Sequence, residues 1–324
     1  METVRILACC AALLSFAGNA VAQSDRYPNR PIRVVVAFPP GGAADFIARI
    51  LAQRVPAALG QSMVIDNRGG AFGNIANDIV AKATPDGYTL LITIDATITV
   101  NPSVYSKLPY DAQRDLTPIT LLIKFPNVLV LHPSVPANSA LELIALAKAQ
   151  PHQLRYAHPG IGSLQQLSAE LFKLSVGVDI ISVPYKGGGP MMISLMGNET
   201  QLSFTTPPAA MPHVKSGRLK ALAVTSAKRF VALPDLPTIS ESGVPGFNVE
   251  GWIGLLAPSR TPRNIIDRLY GEVAKILEQR EVKDLVLAAG AETGGNRPEE
   301  ARAIVRDETT MWAKVVKTAG VKVE

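Results

Sequence analysis

Arg33-Val34-Val35-Val36-Ala37-Phe38-Pro39-Pro40-Gly41-Gly42-Ala43-Ala44-Asp45 decides the reading of this chain. An apolar, β-branched strand runs into a Pro-Pro-Gly-Gly turn, and an amphipathic helix follows at once. The first amides of a helix have no intrahelical acceptor, and they lie at the positive end of its dipole. Gly41 and Gly42 permit positive φ and a close backbone approach, so a carboxylate can meet the N–H groups of Gly42, Ala43 and Ala44. Phe38 leads into the turn. Asp45, near the helix start, is a candidate both for ligand contact and for capping. The Gly-Lys-Ser/Thr ending of a phosphate-binding P-loop is absent.

Outward from this stretch, β-branched runs alternate with helical segments, the pattern of an α/β fold with mainly parallel sheets. Strands are expected over 32–38, 63–66, 89–94, 127–131, 154–157, 180–184, 201–205 and 221–225. Helices are expected over 43–59, 75–83, 140–150, 163–175 and 190–196, and then over 264–279, 281–289 and 298–318. Roughly 300 residues favour two lobes over one large core. Proline-rich stretches before Phe125-Pro126 and Phe247–Gly251 mark two crossings between them. The expected division is residues 23–125 plus 250–324 for one lobe and 126–249 for the other, with the C-terminal helices covering the first. Two crossings make a hinge around a closing cleft.

The first 22 residues read as an export signal: Arg5, an apolar segment from Ile6 to Phe16, and Ala20-Val21-Ala22 before Gln23. The apolar run is shorter than the about 20 residues that span a bilayer. A lipoprotein site at Ile6-Leu7-Ala8-Cys9 is the alternative, but Cys9 arrives before any apolar region has formed. Cys9 and Cys10 both lie in the segment expected to be removed, which leaves no thiol for disulfides, thiolate metal sites or cysteine nucleophiles. The net charge of +5 comes without a basic run or basic–aromatic alternation, so nucleic acid is not an expected partner.

A second glycine turn, Tyr156-Ala157-His158-Pro159-Gly160-Ile161-Gly162-Ser163, also joins a strand to a helix. Gly160, Gly162 and the Ser163 amide and hydroxyl are candidate donors, and His158 lies beside them. Asp95 and Thr97 follow the third strand and are expected in the same cleft. Tyr185, in Val183-Pro184-Tyr185-Lys186-Gly187, is placed to close over a ligand. Thr205 is placed to add a hydroxyl. Trp252 reads as hinge packing. His132, His152, His158 and His213 show no metal-ligand spacing, and no nucleophile–base pair or paired carboxylates appear. The expectation is no enzyme, no metal and no cofactor.

Several stretches in order resemble the exported receptors of tripartite tricarboxylate transporters, the Bug-type receptors. They include the segment from Tyr27-Pro28 to Asp45, Asp66-Asn67-Arg68, Ala81-Lys82-Ala83-Thr84-Pro85-Asp86-Gly87-Tyr88-Thr89-Leu90-Leu91, Leu108-Pro109-Tyr110-Asp111, Val183-Pro184-Tyr185-Lys186-Gly187 and Leu233-Pro234-Asp235-Leu236-Pro237-Thr238. The resemblance implies a periplasmic binding protein of the second structural type, with two α/β lobes. It implies capture of a small organic acid, with transporter membrane subunits as further partners, in a periplasmic monomer. It departs at Asp95, since the family usually carries small hydroxyl residues there, and an acid beside an anion site repels a carboxylate. An amino, amide or hydroxyl group of the ligand would suit Asp95. The alternatives to uptake are a ligand sensor without a transporter and a periplasmic hydrolase.

Overall fold

The computed structural model describes residues 27–321, so the expected export signal with Cys9 and Cys10 lies outside the described residues. One sheet contains β1 (Ile32–Val36), β2 (Met63–Asn67), β3 (Thr89–Ile94), β4 (Leu116–Pro126), β10 (Glu250–Pro258) and β11 (Glu292–Thr293), ordered β11-β4-β10-β3-β1-β2. The other contains β5 (Val128–Leu131), β6 (Arg155–His158), β7 (Ile181–Pro184), β8 (Leu202–Thr205) and β9 (Lys220–Val224), ordered β7-β6-β8-β5-β9. Both sheets follow one plan. A parallel trio with its first strand central (β2-β1-β3 and β7-β6-β8) is joined by an antiparallel strand, β10 or β5.

The expectation of mainly parallel sheets is therefore corrected. β4 and β10 form a long antiparallel pair that sequence reading left out. Pro118 and Pro126 in β4, and Gly251 and Gly254 in β10, read as breaks. The pair accommodates them with register shifts beside Gly254 and between Leu255 and Leu256, close to Pro118. A residue without an N–H fits where a ladder is already irregular.

Among the described residues the helices are α1 (Ala43–Leu59), α2 (Asn74–Ala81), α3 (Asp95–Thr99), α4 (Asn101–Val104), α5 (Ala112–Asp115), α6 (Ala140–Ala149), α7 (Leu164–Val176), α8 (Gly188–Met196), α9 (Pro207–Lys215), α10 (Arg263–Leu277), α11 (Arg280–Ala288) and α12 (Pro298–Ala319). Ile47, Ala48, Leu51 and Val55 of α1 recur at helical spacing and are fully buried against the first sheet. Truncating one of them, Leu51→Ala, would cost about 2–5 kcal/mol. Gly60 ends α1 in the left-handed region (φ 72°), returning its N–H to the Pro56 carbonyl.

The chain passes between sheets through one residue. β4 ends at Pro126, β5 begins at Val128, and Asn127 between them is fully buried. Its N–H donates to Thr225 Oγ1 (2.8 Å) and its carbonyl accepts from the Thr225 N–H (2.9 Å). Thr225 also binds the returning strand: its hydroxyl donates to the Val249 carbonyl (2.6 Å), and the Val249 N–H donates to its carbonyl (2.8 Å). One threonine thus clasps both passages.

Helices α10 and α11 pack on the first sheet, as expected of C-terminal helices. α12 departs from that expectation. Ala301 and Val305 bury in a core with Val35 and Leu91 of the first sheet, but Trp312, Val315 and Val316 bury with Leu129 and Phe172 beside the second. The apolar stripe of α12 is long enough to serve two cores in succession. It straps the halves together behind the crossings.

Candidate functional site

The first turn forms as expected, and its donors divide into two groups. Gly41 sits in the left-handed region (φ 89°) and Gly42 is the helix N-cap in extended conformation. Asp45, at the third helical position, reaches back and accepts the Gly41 N–H (3.0 Å). The same carboxylate accepts from Arg49 Nε (2.7 Å) and Asn67 Nδ2 (3.1 Å) and is almost wholly buried. The Arg49 guanidinium holds its carboxyl below the usual carboxylate range, with the Gly41 and Asn67 donors adding to the effect. Asp45 is thus the turn's cap, and ligand contact is the reading given up: its oxygens are committed to three donors. The Gly42, Ala43 and Ala44 N–H groups have no acceptor among the described residues.

Gly42 and Ala43 line a cavity of about 410 Å³. Gly41, Gly42, Ala43 and Phe46 line it from the first turn and α1, Ile123 and Phe125 from β4, and Thr206 and Pro208 from the opposite half. Gly290, just past α11, closes one end against the Pro208 ring, where a Cβ would approach to 2.5 Å. A second cavity of about 540 Å³ shares Thr206 and Pro208 and continues over the other half. Gln165, Gly188, Gly189, Met192, Thr205 and His213 are in its lining. Phe38 is half-buried beside the first turn, edge-to-face with Phe72 at 6.2 Å between ring centroids.

In the second glycine turn the Gly162 and Ser163 donors are taken up within the turn itself, a correction to the role expected of them. The Gly162 N–H donates to Gln166 Oε1 (2.8 Å). Ser163 Oγ donates to the Gly160 carbonyl (2.7 Å) and accepts from the Gln166 N–H (3.3 Å), while the Ser163 N–H also turns to Gly160 (3.3 Å). Ser163 is a cap, as the N-cap position favours. His158 is buried with both ring nitrogens engaged, Nδ1 with the Gly160 carbonyl and Nε2 with Ser182 Oγ. Burial keeps its pKa below the ordinary histidine value. Among the described residues, the donors left without a partner are those of Gly160 and Ile161 in the turn and Leu164 and Gln165 in the first turn of α7.

The other expected residues divide. Thr205 lines the second cavity. Tyr185 spends its hydroxyl on Ser194 Oγ and packs into the second half's core. Thr97 is fully buried, bonded to Thr93 (2.7 Å) and to the Ile94 carbonyl (2.9 Å), so its hydroxyl supports the strand end. Asp95 is buried at the start of α3, and loss of solvent pushes its carboxyl up to about 7. Its surroundings are α12 rather than a cleft: Glu308, which accepts from Trp252 Nε1 (2.7 Å), is pushed up to about 8 by burial and by the Asp95 charge. Asp95 therefore acts behind the crossings, and the reading in which it meets the ligand is withdrawn.

Phe46 lines the first cavity without having been singled out, Phe125 was expected only at a crossing, and Thr206, Pro208, Gly188 and Gly189 line the cavities from the turns around Thr205 and Tyr185 that were expected at the cleft. Gly188 and Gly189 carried a signal, since two glycines after Gly187 start a helix in the manner of the first turn. α9 was hidden by Pro207, Pro208 and Pro212, which read as loop. Phe46 and Phe125 also pack, partly buried, against the first core.

A family model described as "Tripartite tricarboxylate transporter family receptor" matches residues 47–321. Protein BugT of Bordetella pertussis is 37% identical over 326 residues, covering 100% of both chains. The solved structure described as R. palustris Rpa4515 with adipate is 40% identical at a TM-score of 0.75, covering 91% of this chain and 99% of that one. MatC (Rpa3494) from Rhodopseudomonas palustris with bound malate is 32% identical at a TM-score of 0.69, covering 90% of this chain and all of that one (100%).

Proposed function

We propose a mode of ligand capture for this chain, which belongs to the tripartite tricarboxylate transporter receptor family. Receptors of this family are periplasmic solute-binding proteins, not enzymes, and serve carboxylate uptake by tripartite transporters. In our reading a small organic carboxylate enters between the halves and presents one carboxylate to the N–H groups of Gly42, Ala43 and Ala44. The observation that carries this is the set of unpaired donors at a helix start, of which Gly42 and Ala43 line a cavity shared with Thr206 and Pro208 of the other half. Charge-assisted N–H···O⁻ bonds are about twice as strong as neutral ones, and excluding water strengthens them further. The opposite half offers Thr205, Thr206 and the Gly188–Gly189 amides in place of the Gly162–Ser163 pair expected from sequence.

Closure in this reading is a rotation of residues 126–249 against the rest about Asn127 and Val249, with Thr225 holding both passages. α12, anchored in both cores, limits the swing. The mature chain starts at Gln23 and works as a monomer that hands its ligand to transporter membrane subunits. The test is thermal-shift and calorimetric titration of the mature chain with organic acids, adipate and malate among them. A ligand at 100 times its dissociation constant adds about 2.7 kcal/mol to the folded state. A panel in which no carboxylate raises the midpoint contradicts the proposal.

A further inference from the structure

We infer that the ligand's body is apolar: a carboxylate carrying an unsubstituted methylene chain or ring, not a hydroxylated or branched polyacid. This rests on the carboxylate reading above and adds a ligand class to it. Apart from the turn's amides and the Thr206 hydroxyl, the first cavity is walled by hydrocarbon, from Phe46, Ile123, Phe125, Pro208, Ala289 and Ala291. The second adds Met191, Met192, Ile193 and Met196 of α8 and Pro212 of α9, with Gln165, Thr205 and His213 as its further polar side chains. Because both include Thr206 and Pro208, they form one trough that starts at the anion-binding turn. No Lys or Arg side chain lines either part, and His213 is the one titratable side chain among the lining residues.

The chemistry of that wall selects. A hydroxyl or extra carboxylate laid along Phe46 and Phe125 would give up its water and find no partner, which weakens binding. A methylene in the same place gains about fourfold in affinity when buried. The four apolar side chains from α8 include three methionines, whose unbranched thioethers adjust to chains of different length. Ile193, large and 69% exposed, lies in this wall where an apolar ligand would cover it.

Calorimetric titration of the mature chain with succinate, adipate, suberate and malate tests the inference. Affinity is expected to rise by about fourfold per buried methylene from succinate to suberate, with malate weaker than succinate. Ala289→Phe, at an exposed position on the trough wall, fills part of the space. It should abolish the gain in affinity from succinate to suberate. An unchanged melting midpoint confirms that the variant folds. Malate binding most tightly, or affinity indifferent to chain length, overturns the apolar class and leaves the carboxylate reading standing. An unchanged length dependence in the variant moves the ligand out of this trough and overturns the inference. Failure of every acid to bind removes the carboxylate reading and this inference with it.

Discussion

The turns at Gly41 and Gly162 share one grammar and differ at the N-cap. Each follows a strand, places its glycine at positive φ (89° and 78°) and precedes a helix. In each, the side chain at the third helical position reaches back to the glycine N–H, Asp45 in one and Gln166 in the other. They part at the N-cap. Ser163 has a hydroxyl, which takes the Gln166 N–H and ties itself to Gly160. Gly42 has no side chain, so the amides after it stay open. The N-cap side chain thus engages the third helical amide in one turn and is missing in the other, while the first two helical amides have no acceptor in either among the described residues. Charge separates them too: the first cap is an ionised carboxylate balanced by Arg49, the second a neutral amide.

Removing the two reaching side chains should break the comparison most visibly. Asp45→Ala strips a buried acceptor from Gly41, Arg49 and Asn67 and should cost roughly 2–3 kcal/mol in urea unfolding, against about 1 kcal/mol for Gln166→Ala. Equal losses would mean the charge at the first cap is incidental. Gly42→Ser, which exchanges the N-caps in effect, supplies a hydroxyl acceptor where there is steric room. Carboxylate affinity should fall about tenfold, near one charge-assisted bond, while stability holds or rises slightly. Unaltered affinity would show that those amides are not the binding donors.

Ser163→Ala should lower stability by about 1 kcal/mol and leave affinity within about twofold, the signature of a cap. A large affinity loss would return Ser163 to the ligand. The smallest effect concerns acid. Asp45 is depressed in the folded state, so its contribution is full above the ordinary carboxylate pKa and is lost as pH falls through the lower folded value. The Gly41 amide should therefore exchange faster with solvent on acidification below about pH 4, while the Gly162 amide, capped by a side chain that does not titrate, keeps its protection. Parallel behaviour of the two amides would erase the distinction.

Much of this was legible in the residues themselves. The β-branched runs gave the strands of both parallel trios, and the apolar spacing of 43–59 gave α1 with its observed ends. Glycine and proline misled in both directions. Pro118, Pro126, Gly251 and Gly254 concealed the central antiparallel pair, because a two-stranded register shift is a property of the partner strand as much as of the sequence. Pro207, Pro208 and Pro212 concealed α9, although proline suits the first helical positions. At the candidate site, the local pattern gave the first turn and its open helix start. It could not show that Gln166 folds back on Gly162, or that His158 and Thr97 spend their polar atoms inward, since those choices depend on neighbours distant in the chain such as Ser182 and Thr93.

Amide chemical shifts of the isotope-labelled mature chain, followed while adipate is added, address the central claim most directly. Capture at the uncapped helix start predicts saturable shifts at Gly42, Ala43 and Ala44, with Gly162 and Ser163 moving little. Shifts centred on Gly162 and Ser163, with the first turn silent, would contradict it.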